Sequence, residues 1–421
     1  MKCLFLIKEL GEYEPNSFNS LNLNKLKEFV IVPYFIDWYR SKQSNKINPL
    51  FIQEIESLNP TLFRIPGIIN RNPFFDHTQI KFFIAYNNGR PAGRVMSFID
   101  YNYNEKYNDR FGWFGLFESI ENKDLALRLL DKAMNYLKKN GCKKIIGPAK
   151  FNAGGEIGLL INGFENKPYF MEPYNTPYYK DIFEEYGLVK ENDWYSVVTD
   201  SVVSRDYMNR IERILIKISN KYQKTLNEIK IRNINFQDYR NEIKKIKELY
   251  NDIWNSANHP QQVRMTDAEF NLQAMNIKAI SIEDLIFIIE KDGIPIGISV
   301  NFPDINEVIE DFDSQWPYTP SERFFNLKDM KRDIKIFNLI QNKLKTGGFT
   351  RLRILLLGIK KEFRKAGIES KIFSSINKDA SKLGFKYASG SQLADINLDI
   401  INPIFRLGKV AFTWRVYGLD I

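Results

Sequence analysis

Two stretches of this chain, 204 residues apart, read as the same piece of structure. Phe83–Asp100, FIAYNNGRPAGRVMSFID, aligns without a gap to Phe287–Asp304, FIIEKDGIPIGISVNFPD. Gly89 falls on Gly293, Pro91 on Pro295, Gly93 on Gly297 and Phe98 on Phe302. Each copy has an apolar run, an Asn-Gly or Asp-Gly pair, and a second apolar run. Those pairs supply the positive φ angles of a two-residue turn, so each copy is expected to be a β-hairpin. One such hairpin is common. Two with the same turn chemistry point to a duplicated domain.

The flanking segments repeat in a related order. After the first hairpin come a strand-like RFGWFGLFESI and a helical NKDLALRLLDKAMNYLKKNG. In the helix, Leu125, Leu129, Leu130, Ala133, Met134 and Leu137 share one face, and Gly141 is placed to stop it. A short strand, CKKIIGPA, and a helix-like TPYYKDIFEEYG follow. The second half offers a strand EIKIRNI, a helix YRNEIKKIKELYNDIWNS and its hairpin. Then come a helix near 325–344, a strand RLRILLLGI, a helix ESKIFSSINKDASKLG, FKYASGSQLADIN and a final strand KVAFTWRVYG. A basic amphipathic helix bridges the halves. The expected division is 1–204, a helical connection 205–228, and 229–421.

Composition narrows the classes. With 421 residues, 44% of them hydrophobic, the chain can bury more than one core. No run reaches the roughly 20 apolar residues of a membrane-spanning helix. The opening MKCLFLIKEL lacks a signal-peptide core and cleavage site, so the expected location is cytoplasmic. Cys3, Cys142, His77 and His259 are too few and too scattered for a disulfide framework or a metal site, and no metal is expected. The net charge of +9 favours an anionic partner, although solvated surface is the plainer reading of most of these residues.

One loop carries chemistry. In LLLGIKKEFRKAGIESKIF the strand is expected to end near Ile359 and a helix to begin near Gly367, with Ile368, Ile372, Phe373 and Ile376 on one face. A helix start leaves several N–H groups without intrahelical partners, and they carry partial positive charge. Gly367 lets an anion approach the backbone, and Arg364 and Lys365 add charge, which suits a phosphate. A strand–turn–helix with one glycine and some basic residues is also an ordinary surface feature. The corresponding segment of the first half, FESIENKDLALR, has no glycine and is acidic at Glu118, Glu121 and Asp124, so an anionic donor is expected in the second half alone.

Arg364, Ala366 and Gly367, with Ile368 as the variable residue, resemble the pyrophosphate motif of the GNAT acyltransferase superfamily. Glu369 departs from that motif, standing where a small residue is usual. Asn397, eleven residues before Gly408, resembles a second superfamily signature, but Ile404 occupies the place of its usual acid tyrosine. NPFF (72–75), GWFGLFE (112–118), IGPAKF, YNTPYYKDIFEEYGL and FTWRVYG extend the resemblance to a tandem GNAT-like family that includes bacterial ceramide synthases. The fold this implies is α/β (α+β): two tandem GNAT-like domains, each a mixed, twisted central sheet flanked by helices.

The resemblance also implies a reaction. Acyl-CoA is the co-substrate, no cofactor is permanently bound, and the acyl group passes to an amine, with a long-chain lipid amine as one acceptor class. The donor lies between RLRILLLGI and FKYASGSQLAD, where an N–H near Leu357, Gly358 or Ile359 polarises the thioester. Asp395 is the first choice of base, with Glu290 and Glu118 as alternatives, and Tyr417 is the candidate acid; a helix cap remains an open reading of Asp395, and a core residue of Tyr417. The apolar stretch Ile47–Phe75 reads either as packing or as a membrane-facing lip, the latter allowing peripheral contact with an anionic inner-membrane face. Two other functions stay open: a Fem-like transferase using aminoacyl-tRNA, though no nucleic acid is expected as partner, and a lipid- or nucleotide-binding protein with a decayed site. The sequence leaves the oligomeric state undetermined.

Overall fold

The computed structural model describes residues 5–15, 23–58, 72–151, 155–199, 205–256, 260–316, 327–364, 366–398, 401, 404–405 and 407–421. His259, Lys365, Cys3 and much of the apolar stretch before Asn72 lie outside the described residues. Along the chain the strands are β1 (Phe5–Tyr13), β2 (Thr78–Asn87), β3 (Arg90–Asp100), β4 (Phe111–Ser119), β5 (Lys144–Gly147), β6 (Ala149–Lys150), β7 (Glu156–Ile157), β8 (Leu159–Asn162), β9 (Val189–Thr199), β10 (Ile229–Asn233), β11 (Ile286–Lys291), β12 (Ile294–Pro303), β13 (Arg351–Ile359), β14 (Tyr387–Ala394) and β15 (Lys409–Asp420). The α-helices are α1 (Leu23–Val30), α2 (Phe51–Ser57), α3 (Tyr101–Tyr107), α4 (Lys123–Lys139), α5 (Tyr179–Glu185), α6 (Arg205–Glu228), α7 (Tyr239–Ser256), α8 (Asp267–Lys278), α9 (Asn306–Gln315), α10 (Leu327–Thr346) and α11 (Ile368–Lys382).

These elements form two compact units, and neither is a single stretch of chain. Unit 1 comprises 1–194, 309–337 and 412–421; unit 2 comprises 195–308 and 338–411. The linear division at 205–228 therefore needs correction. The helix expected to join the halves, α6, belongs to unit 2, and most of the last strand returns to unit 1.

In unit 1 the strand order is β1-β2-β3-β4-β5-β15-β9. β1 to β4 run antiparallel to their neighbours, β4 and β5 pair in parallel at Phe111–Trp113, and β15 pairs antiparallel with β5. The face anticipated on α4 is the one buried: Leu125, Leu129, Leu130, Ala133, Met134 and Leu137 pack with Phe83, Val95, Phe114 and Phe117. Asn122 caps the helix by accepting from the Leu125 amide at 3.0 Å.

Unit 2 follows the same plan. β10, β11, β12 and β13 are antiparallel neighbours, and β13 pairs in parallel with β14. α7 covers the sheet with Ile246, Leu249, Tyr250, Ile253 and Trp254 against Ile286, Ile288, Ile298 and Val300.

The two hairpins match beyond their turns. Asn88 and Gly89 have φ of 50° and 81°, and Asp292 and Gly293 have 51° and 76°, the left-handed pairs that close a hairpin without splaying it. Each hairpin has an irregularity at the same place, between Ala85 and Tyr86 in one and Ile289 and Glu290 in the other. The repeat predicted from the sequence is a repeat of register as well.

Candidate functional site

The candidate site of unit 2 starts at a parting of strands. β13 and β14 pair from Arg351↔Tyr387 to Ile354↔Gly390 and no further. At the same point β13 carries an extra residue opposite β12: Asn301 faces Ile354 and Val300 faces Leu356, leaving Leu355 as a bulge. A bulge bends its strand and re-aims the residues beyond it. Ile354–Leu357, beside the parting, are half-buried.

The start of β13 is fixed by charge. Arg351 Nε lies 2.9 Å from Asp304, which is fully buried. Glu307, in the first turn of α9, accepts from the Thr350 amide at 3.0 Å and from the Arg351 amide. Sequence reading missed this clamp. Its one trace was that Asp304 closes the second repeat where Asp100 closes the first. Asp100 likewise holds the chain leaving its hairpin, accepting from the amides of Asn102 and Tyr103.

At its far end β13 leads into the loop. Gly358 is buried because α7 comes close: a Cβ there would lie 2.5 Å from the Trp254 ring. After Ile359 a 3-10 turn (Lys361–Phe363) leads to Arg364, whose Nε donates to the Ile359 carbonyl at 3.0 Å. Ala366 is half-buried. Gly367 adopts φ 76°, ψ 5° and offers no side-chain cap to α11, whose face Ile368, Ile372 and Ile376 is buried while Phe373 is half-buried. Glu369 falls in the first turn of α11, where the helix dipole favours a carboxylate.

The loop is not the open cradle expected of it. Gly367 is buried, and a Cβ there would stand 2.1 Å from the Ile218 methyl and 3.6 Å from Tyr222. Both residues belong to α6, so α6 roofs the entrance to α11. Lys371 ties the two helices together by donating to the carbonyls of Leu226 (2.8 Å) and Ile229 (2.6 Å). α6 kinks at Tyr222, where φ −120°, ψ 21° interrupts it. Residues beyond the kink are anchored through Lys371; those before it form an arm resting on Gly367.

The other candidates fall in several places. Asp395 is half-buried in the turn that ends β14 and already has a partner. Asn397 comes two residues later, its amide donating to Ala394 at 2.9 Å. Gly408 is explained by packing, since a Cβ would meet the Val198 carbonyl at 2.7 Å. Glu290 on β11 accepts from Arg232 Nε at 2.8 Å, and Arg232 also grips both oxygens of Glu242. A carboxylate held that way is a structural ion pair. Tyr417 lies in the core of unit 1, 1% exposed, packed edge-on against Phe183 and donating to Glu184 at 3.3 Å. Burial pushes its hydroxyl well above the usual tyrosine range. The acid expected from it is therefore not a group of unit 2. Of the few cysteines and histidines, Cys142 is buried with its thiol pushed up to about 11 by burial, and His77 pairs with Asp100 at 2.9 Å.

The antiparallel meander, the bulge, the parallel pair that parts and the helix entering behind the loop, set in a chain that repeats its hairpin, define a tandem GNAT-fold protein. Among solved structures, a tandem GNAT protein from the clavulanic acid biosynthesis pathway superposes over 99% of this chain and 98% of its own, with a TM-score of 0.50 and 9% identity. The GCN5-related glucosamine N-acetyltransferase region of a fungal multi-domain GH3 β-N-acetylglucosaminidase matches 100% of this chain and 38% of that protein, with a TM-score of 0.51 and 12% identity. No protein-family model matches the sequence. In particular, the chain is similar to Protein YghO of Escherichia coli, 28% identical over 95% of this chain and 94% of that one. It is also similar to the bacterial ceramide synthase of Caulobacter vibrioides, 25% identical over 81% of this chain and 79% of that one.

Proposed function

We propose that the chain is an N-acyltransferase that takes an acyl group from acyl-CoA and passes it to an amine, a long-chain lipid amine being the acceptor class that the similarity to a ceramide synthase suggests. The observation that carries this reading is the parting of β13 and β14 beyond Ile354 and Gly390, beside the loop that enters α11. The acyl–pantetheine arm lies in that parting. Its diphosphate meets the first amides of α11, with the charge of Arg364 beside it. Because Ile218 rests on Gly367, the arm of α6 before Tyr222 gives way as the diphosphate enters.

In the reaction the amine nitrogen attacks the thioester carbonyl. A backbone N–H of β13 near Leu357–Ile359 meets the oxygen as it becomes anionic. The C–S bond breaks, and the proton that the nitrogen gives up as the amide forms passes through water to the thiolate. The attacking ammonium must first lose a proton, and Asp395, at the end of β14, is the carboxylate we assign to that step.

Calorimetric titration of the full chain with CoA, palmitoyl-CoA and tRNA tests the donor, and release of free thiol across a panel of amines tests the transfer. Palmitoyl-CoA is expected to bind, and Arg364→Glu to weaken it by about tenfold or more. Binding of tRNA without CoA would refute the reading.

A further inference from the structure

The most unusual side-chain pair in unit 1 is Arg94 on β3 and Glu118 on β4, directly opposite in register. Both are buried, 5% and 6% exposed. Yet Nη2 of Arg94 and Oε1 of Glu118 stand 4.0 Å apart, too far for a hydrogen bond. Arg94 carries five N–H donors. Among the described residues its hydrogen bond is the one from Nη1 to the Phe29 carbonyl at 3.2 Å, its plane lies over the Phe29 ring, and Nε is buried without a partner. The other oxygen of Glu118 is well served: Tyr39 donates at 2.7 Å and Tyr179 stands at 2.9 Å, with the Tyr179 hydroxyl in turn accepting from the Ser119 amide. Burial, and then the charge of Glu118, keep both phenols protonated. A second buried pair, Glu54 with Lys150, neighbours the first. Burial raises the Glu54 carboxyl, but Lys150 and Arg94 outweigh it and hold it ionised. Lys46 and Glu156 act on that pair from nearby.

The fold does not demand this arrangement. In the second repeat the same positions are Ile298 and Gly358, again opposite in register and apolar. A buried ion pair is commonly no more stable than an apolar substitute, and one whose donors go unfilled is worse. We infer that Arg94 and Glu118 form a ligand site in unit 1 for a hydroxyl-bearing polar head group, which accepts from Arg94 Nε and Nη2 and donates to Glu118 Oε1. A hydroxyl does both at once. A bare carboxylate would face Glu118, and a bare ammonium would face Arg94. The inference is independent of the donor site in unit 2.

The test is ligand-observed NMR on the full chain with propane-1,2-diol, acetate and propylamine as probes. The diol is expected to bind, and Arg94→Met and Glu118→Gln each to weaken it by about fivefold or more. Glu118→Gln keeps an acceptor for Tyr39 and Tyr179, and Arg94→Met keeps the packing on Phe29, so both variants are expected to fold; each leaves the other buried charge without its partner and is expected to melt below the parent. Arg94→Lys, which keeps the charge but not the fork, is the second variant should Arg94→Met fail to fold, and it too is expected to lose the diol. Diol binding equal in parent and variants, or no binding by any probe, leaves only a bridging water and overturns the site. So does tighter binding of acetate or propylamine than of the diol.

Discussion

Replacing Gly367 by alanine tests whether α6 really sits on the loop. At φ 76° an L-residue costs about 1 kcal/mol. The new Cβ would also lie 2.1 Å from the Ile218 methyl, well inside contact distance, and that methyl moves only if Ile218 leaves the χ1 rotamer a β-branched residue prefers in a helix. Overpacking of this kind typically costs about 1–3 kcal/mol, so Gly367→Ala should lose roughly 2–4 kcal/mol in all. Ile218→Ala alone removes part of a half-buried side chain and should lose about 1–2 kcal/mol. In the double variant the clash has no partner. It should be about 1–3 kcal/mol more stable than the sum of the single effects predicts. Urea denaturation of the full chain, followed by tryptophan fluorescence, measures all three; Trp254 packs on Gly358 and reports unit 2. Effects that add to within about 0.5 kcal/mol would show that α6 and the loop do not touch. The same variants probe the donor site. If the arm of α6 must lift, Ile218→Ala lowers the cost of opening, and CoA should bind about threefold or more tightly. Weaker binding would mean that Ile218 holds the ligand instead of covering its place.

Two further outcomes are specific. Burial pushes Asp333 up to about 6, against the Ile52 amide and Arg332, which favour its charged form. The folded chain therefore binds the extra proton: this stability is complete below about 4 and is lost as pH rises through about 6, roughly 3 kcal/mol by pH 7. Asp333→Asn should flatten that stretch of the denaturation-midpoint profile, and an unchanged slope between pH 4 and 7 would contradict it. Tyr417→Phe removes only a 3.3 Å hydrogen bond to Glu184 and should leave thiol release from acyl-CoA within about twofold of the parent; a loss of a hundredfold would restore Tyr417 as the acid.

The range of each interaction decides whether the sequence shows it or hides it. The hairpins were legible because an Asn-Gly or Asp-Gly pair fixes its own backbone, and the buried face of α4 because a 3.6-residue period needs no partner to be seen. The return of Phe412–Ile421 to unit 1 leaves no local mark, since β15 pairs with β5 across more than half the chain. Tyr417 was assigned to the second half by that omission. Glu290 looked available because Arg232, which holds it, lies 58 positions away. At Gly367 the sequence suggested a glycine that lets an anion approach a helix start; the helix does start there, at Ile368, with Gly367 at φ 76°. Its cover was invisible, because the contact comes from Ile218 in a helix that the sequence presents only as a connector.

The repeat separates what the backbone imposes from what the side chains are free to change. Gly93 and Gly297 persist for one reason: a Cβ at either would stand 2.9 Å from a carbonyl on the next strand, that of Glu118 in unit 1 and of Gly358 in unit 2. The constraint runs from backbone to backbone, so no change of side chain in the neighbouring strand relieves it. One position further along, the copies part. In unit 2, α7 brings Trp254 and Ile253 so close to Gly358 that no larger residue fits, and the facing residue is the apolar Ile298. In unit 1 the corresponding carboxylate, Glu118, meets the hydroxyls of Tyr39 and Tyr179. The covering element thus decides the chemistry. A tryptophan pressed onto the strand leaves room only for glycine, whereas two phenols supply the donors that let a glutamate be buried. On this account the two units differ in what their helices lay over a common hairpin and strand, and placing a carboxylate at position 358 would require Trp254 to shrink first.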